Sequence, residues 1–205
     1  MARSADLSIL TRLAALAIAL ITWFGLAIQL QASTALAGAL GEAIWVMLRY
    51  FTVLTNLLVA ITFTSLALGR RVTPFALGGV TLAILLVGIV FAVLLNGLVE
   101  LSGGARLADF LLHRVTPLLV PLYWLALAPK GGVRRHDPWL WALYPLAYFL
   151  YALARGAAEG RYAYPFMDVG RLGWTQTGLN AFVMAAGFLL AGFALYWLDR
   201  RMARD

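Results

Sequence analysis

The feature that most constrains this chain is a series of six long apolar runs. A helix that crosses a bilayer needs roughly 20 mostly apolar residues. Stretches at about 10–30, 44–68, 75–98, 107–128, 138–154 and 175–198 meet that requirement. Of the 205 residues, 63% are hydrophobic and 12% charged. A soluble domain of this length does not enclose enough interior to hide that much apolar surface. The expected fold is therefore all-α: a single domain over residues 1–205, built as an integral membrane bundle of six transmembrane helices. Pro138 suits the opening turn of the fifth helix, where its missing N–H costs little.

The first run follows basic residues and precedes the small residues from Ala32 to Ala37, a pattern shared with signal peptides. It is longer than a signal core and five more runs follow, so it is read as a retained helix. Arginines set the orientation. With the N-terminus inside, the inner side carries Arg3, Arg12, Arg70, Arg71, Lys130, Arg134, Arg135, Arg200, Arg201 and Arg204. The outer side carries Arg49, Arg106, Arg114, Arg155, Arg161 and Arg171. Ten against six favours an N-in, C-in arrangement.

Composition closes several functional classes. The net charge is +7, but the basic residues fall in short pairs at helix ends, so nucleic-acid binding is not expected. There is no cysteine, which excludes thiolate chemistry and zinc–cysteine sites. The two histidines, His113 and His136, are too few for a histidine-rich metal site, and no metal or other cofactor is expected. The one lysine, Lys130, lies in a loop. No helix offers a Schiff-base lysine, so retinal is not expected either. The scarcity of lysine and lack of cysteine fit a bacterial inner membrane.

Placed by depth, the inner halves of the helices are almost wholly apolar and the outer halves are not. Helix two carries Arg49, Thr52, Thr55 and Asn56; helix three ends with Asn96 and Glu100; helix four brings Asp109, His113 and Thr116. Helix five carries Tyr144, Tyr148, Tyr151 and Arg155, and helix six Thr175, Gln176, Thr177 and Asn180. Several of these recur at intervals of three or four, on one helical face. Polar groups are costly in hydrocarbon and turn inward, which implies a polar cavity open towards the outer leaflet. Thr52 and His113 each fall on the order of 10 Å below the outer end. A hydroxyl beside an imidazole is the minimum for nucleophilic acyl transfer. Asp109 and Glu100 are alternatives for orienting the ring, and Thr55 competes with Thr52.

Three short motifs carry a resemblance. They are Arg49-Tyr50-Phe51-Thr52-Val53, Leu112-His113-Arg114-Val115-Thr116-Pro117 and Tyr164-Pro165-Phe166-Met167-Asp168. In order and placement they resemble the landmarks of the androgen-induced and androgen-dependent six-transmembrane proteins. They also resemble a bacterial six-helix branch described as related to microbial rhodopsins. The animal members are intramembrane threonine hydrolases of fatty acid esters of hydroxy fatty acids. The resemblance implies that Thr52 is the nucleophile, His113 the general base and a membrane lipid the partner.

The expected function is thus hydrolysis of lipid esters in the outer cavity. Arg49, Arg114 or Arg155 would hold a carboxylate, and Asn56, Asn96 or Asn180 would donate to the oxyanion. The alternative is a non-enzymatic lipid-binding protein or small transporter using the same cavity. A transporter needs polar residues on the inner path and broken helices, for which Gly78-Gly79 and Gly88 are the only hints.

Overall fold

The computed structural model describes residues 8–203, of which Arg3 and Arg204, counted above with the inner charges, are not part. The fold is all-α, 82% helical, with no strand among the described residues. Eight helices follow in order: α1 (Ile9–Ala37), α2 (Leu40–Met47), α3 (Phe51–Ala67), α4 (Pro74–Val90), α5 (Gly103–Phe110), α6 (Thr116–Leu127), α7 (Asp137–Glu159) and α8 (Val169–Met202). A π-helical turn, Phe91–Leu95, extends α4, and a second, Leu111–Val115, joins α5 to α6.

Among the described residues, four helical segments are long and apolar enough to cross a membrane: α1, α4 with its π turn, α5 continued through α6, and α8. A fifth is available if α2 and α3 count as one bent span. The surface agrees, since large apolar side chains such as Phe24, Leu122, Phe182 and Leu190 point outwards at 50% exposure or more. Contiguous apolar surface on that scale is unusual in water and ordinary in lipid. α7 is long enough, but its tyrosines, tryptophans and charged ends keep it out of this set.

The expected second span, 44–68, is corrected. It is two helices meeting at 95°, with Leu48-Arg49-Tyr50 as the joint. Thr52 consequently lies in the first turn of α3, not eight residues down a continuous helix. The joint exists because α7 satisfies the backbone groups it exposes. The Arg49 N–H bonds back to the Val46 carbonyl (3.1 Å), which leaves the Trp45 carbonyl without its helical partner. Arg155 Nη2 donates to that Trp45 oxygen (2.6 Å), Tyr151 to the Leu48 carbonyl (3.2 Å) and Tyr148 to the Arg49 carbonyl (2.8 Å). One further residue of the same stripe, Tyr144, meets the Thr55 hydroxyl (3.1 Å). Thus the polar stripe of α7 serves as the bracket of the α2–α3 joint.

Charges complete the bracket. Glu159, at the end of α7, pairs with both Arg49 and Arg155 and accepts from Trp45 Nε1 (3.0 Å). The Arg155 guanidinium also lies 4.0 Å over the Trp45 ring. Asn96 and Glu100 are corrected as well. Helix geometry ends at Leu95, so they share no helical face. The sixth expected span, 175–198, sits inside α8, whose regular part begins after a break at Gly173 (φ 73°).

The centre is closed by aromatic and aliphatic packing. Phe63, Leu82, Ile84, Val59 and Val120 are buried between α3, α4 and α6. α4 needs its glycines for close approach. A Cβ at Gly78 or Gly79 would stand 2.8 Å from the Trp141 ring, and one at Gly88 would stand 2.7 Å from Pro117. α4 runs unbroken through all three, so these glycines mark contact rather than a broken helix.

Replacing Tyr148 by Phe strips the donor from the Arg49 carbonyl, which lies against the buried start of α3. The expected cost is about 1–3 kcal/mol, read as a lower unfolding midpoint of the full chain in detergent.

Candidate active site

Pro117 shapes the site from the α6 side. It brings no N–H to the helix, and the chain ahead of it winds as a π turn from Leu111 to Val115. The Thr116 N–H reaches the Leu111 carbonyl, as does the Thr116 hydroxyl (3.0 Å). In an α-helix that N–H would have gone to Leu112. The freed Leu112 carbonyl is taken by Asn56 Nδ2 (3.1 Å), which also donates to the Thr52 carbonyl (2.9 Å). Asn56 is fully buried. One amide therefore ties the turn of α3 that carries Thr52 to the π turn that carries His113.

Across that tie the two side chains meet. Thr52 Oγ1 lies 3.1 Å from His113 Nε2. The other ring nitrogen, Nδ1, lies 3.2 Å from the Asp109 backbone oxygen and 3.0 Å from its carboxylate Oδ1. Both of those partners only accept, so Nδ1 carries the proton in the neutral ring. Nε2 is then the acceptor of the Thr52 hydroxyl proton. Phe91, in the other π turn, stacks on the imidazole at 4.4 Å and 22°. π turns recur at functional sites; here one turns the histidine and the other supplies the ring that covers it.

Arg114 surrounds the aspartate from outside. It donates to Asp109 Oδ2 (3.2 Å) and to Asn96 Oδ1 (2.8 Å), and its guanidinium lies 4.7 Å over Phe91. Of the expected carboxylate-binding arginines, Arg114 is the exposed one, and it stands beside His113. Arg49 and Arg155 are buried in the α7 bracket.

The remaining expected site residues separate from this group. Thr55 is fully buried against Tyr144. Asn180 bonds the Phe166 carbonyl (3.0 Å) and Gln176 (2.9 Å). Glu100 is exposed in the segment after α4; Asp109 is the carboxylate at the ring. Pro165, Phe166 and Met167 form a short 3-10 turn, and Asp168 caps α8 by accepting from the Arg171 N–H (3.2 Å). Tyr164 and Phe166 stack at 5.1 Å. No group of metal-ligating side chains occurs among the described residues.

Two cavities flank the pair. One, of about 130 Å³, has Thr52 in its wall; the rest is mostly apolar, from α3, α4 with its π turn, α7, the α7–α8 connection and α8, apart from the hydroxyls of Tyr148 and Tyr164. The other, of about 380 Å³ and more open, has His113, Arg114 and Asn96 in its wall. The hydroxyl and the imidazole thus stand in the partition between an apolar chamber and a polar-rimmed one. Sequence reasoning missed Phe91, Glu159 and the place of Tyr164. Tyr164 lines the apolar chamber beside Thr52 and Tyr148 from the connection between α7 and α8, and desolvation pushes its phenol pKa up.

No protein-family description, curated protein or solved structure matches this chain.

Asn56→Leu removes both donors that join the Thr52 and His113 turns. The buried Leu112 carbonyl is left unpaired, at about 1–3 kcal/mol, while the Thr52 carbonyl keeps its place in the α3 backbone ladder. The variant is expected to melt well below the wild type in detergent, whereas the exposed change Gln176→Ala leaves the midpoint within about 0.5 kcal/mol.

Proposed function

We propose that this protein is a membrane-embedded hydrolase of lipid esters, with Thr52 as nucleophile and His113 as general base and acid. The observation that carries the reading is the 3.1 Å contact between Thr52 Oγ1 and His113 Nε2, with Asp109 behind the ring. In the first step Nε2 takes the Thr52 proton and Oγ1 bonds to the ester carbonyl carbon. The carbonyl π pair moves onto its oxygen. Collapse of the tetrahedral adduct breaks the bond to the alkoxy oxygen, which leaves with the proton from His113. Water then attacks the acyl-threonine, giving a proton to His113. The acid departs, and that proton returns to Thr52.

The two cavities support a direction for the substrate. The acyl chain fits the apolar chamber beside Thr52. The alcohol half lies on the side of His113, which must protonate it, and there Arg114 offers a charge for a carboxylate. The resemblance to the androgen-induced six-transmembrane proteins points the same way, towards fatty acid esters of hydroxy fatty acids. In this reading the chain crosses the membrane six times, N-in and C-in, in a bacterial inner membrane. α7 is the fifth span, and α3 crosses while α2 turns away from it and packs against α1. At 23 residues, α7 is about 34 Å long.

A lipid-binding protein without chemistry would use the same apolar chamber. An alkyl fluorophosphonate separates the two. The wild type is expected to be labelled at Thr52, Thr52→Ala not at all, and His113→Ala at least 100-fold more slowly. Labelling that persists in Thr52→Ala would falsify the nucleophile. A wild type that retains lipid but neither labels nor cleaves a p-nitrophenyl ester supports binding alone.

Packing behind the histidine provides a second test. Gly88→Leu drives a side chain into Pro117, whose helix carries His113. The expected result is a fall in labelling rate larger than the fall in stability, compared with Gly187→Leu on α8, where a Cβ meets nothing within 4 Å. Equal labelling in the two variants would contradict the proposed dependence on the α4–α6 contact.

A further inference from the structure

The apolar chamber holds three hydroxyls, and their protons are not equally free. Thr52 gives its proton to His113 Nε2. Tyr148 gives its proton to the Arg49 carbonyl, 2.8 Å away, as part of the α2–α3 joint. The third, Tyr164, is bonded to no carbonyl or carboxylate among the described residues. It lines the same chamber as Thr52. Its ring is held in place on two sides, edge-on by Tyr50 at 6.0 Å and stacked by Phe166 at 5.1 Å. An oriented phenol next to the nucleophile, with its proton uncommitted, is the geometry of a donor to developing negative charge.

The backbone adds to this. The Phe51 and Thr52 N–H groups open α3, and Tyr50 before them supplies no side-chain cap. Neither N–H has a backbone acceptor in the turn, where the Tyr50 carbonyl accepts from Val53 and Leu54 instead. Phe51 and Thr52 both line the chamber that Tyr164 lines.

The amides expected to serve as oxyanion donors are engaged elsewhere. Both donors of Asn56 go to carbonyls, Asn180 donates to the Phe166 carbonyl, and Asn96, whose Oδ1 accepts from Arg114, lines the other cavity. We infer that Tyr164 is a catalytic residue that donates its hydroxyl proton, as a hydrogen bond, to the carbonyl oxygen of the ester during attack by Thr52. This rests on the hydrolase reading above. The bond is made on the chamber side of Thr52, opposite His113, so the attacked carbonyl is held between a base on one face and a donor on the other. The tyrosine keeps its proton throughout, and no new covalent bond forms to it.

The test uses the full chain in detergent, with p-nitrophenyl octanoate as substrate and an alkyl trifluoromethyl ketone as inhibitor. The ketone forms a tetrahedral adduct that carries the same oxyanion. Tyr164→Phe is expected to lower kcat 100- to 1,000-fold with KM within threefold. It should weaken the ketone by about the same factor as kcat, while 1-octanol, which has no oxyanion to stabilise, binds as to wild type. Tyr148→Phe, by contrast, should lower the melting point without that selective loss for the ketone. If Tyr164→Phe does not fold, 3,5-difluorotyrosine at position 164 keeps the ring and hydroxyl but ionises at lower pH. It is then expected to move the alkaline limb of kcat downwards. A wild type that labels at Thr52 while Tyr164→Phe keeps kcat and ketone affinity within threefold overturns the role of Tyr164 and leaves the hydrolase standing. An unmoved alkaline limb in the fluorotyrosine protein does the same. A wild type that neither labels nor hydrolyses overturns the reading beneath it.

Discussion

The structure depends on α7 holding open a joint in another helix. A chain inside lipid cannot leave backbone carbonyls bare, since each unpaired group costs several kcal/mol. The α2–α3 corner exposes the carbonyls of Trp45, Leu48 and Arg49, and α7 meets all three from one face. Without those donors the segment from Leu40 to Ala67 has every reason to close into one helix, as its apolar sequence suggests. With them, the corner is stable and the first turn of α3 starts beside the chamber. Thr52 owes its position to that start.

The second organising element is Pro117. A proline four residues after a histidine removes a donor from the turn that holds the imidazole. The chain answers with a π turn, and the π turn frees the Leu112 carbonyl. Asn56 then reaches across to take it, and its other bond goes to the turn of Thr52. A local defect on one helix is thereby converted into a tie between two. This is how residues 61 positions apart come to lie 3.1 Å from one another.

Much of this was legible in the sequence, and the part that was not has a common cause. The apolar runs gave the all-α class, and helical spacing gathered Asp109 and His113, and also Tyr144, Tyr148, Tyr151 and Arg155, onto single faces. Those are local properties, carried by 3.6-residue periodicity. The break at residues 48–50 was not legible, because Leu-Arg-Tyr holds neither glycine nor proline. Its cause lies about a hundred residues downstream, in α7. The ends of α4 and α8 were misplaced for a similar reason. Asn96 follows a π turn that no residue pattern announces, and the break at Gly173 falls just before the apolar run begins. Glu159 was overlooked because a lone glutamate at a helix end is ordinary; it matters only once two distant arginines converge on it.

The bracket on α7 also has a mechanical meaning. The α2–α3 joint that precedes Thr52 is held from outside: the donors to its three freed carbonyls belong to α7, and the acid that gathers the arginines is the last residue of that helix. Thr52 is therefore located relative to α7, while His113 is located relative to α4 through Pro117 and Gly88. The gap between hydroxyl and imidazole is set by these two anchorages and by the Asn56 amide that joins them. A tilt of α7 by a few degrees, of the kind that bilayer thickness imposes on helices, is transmitted to the separation of Thr52 from His113.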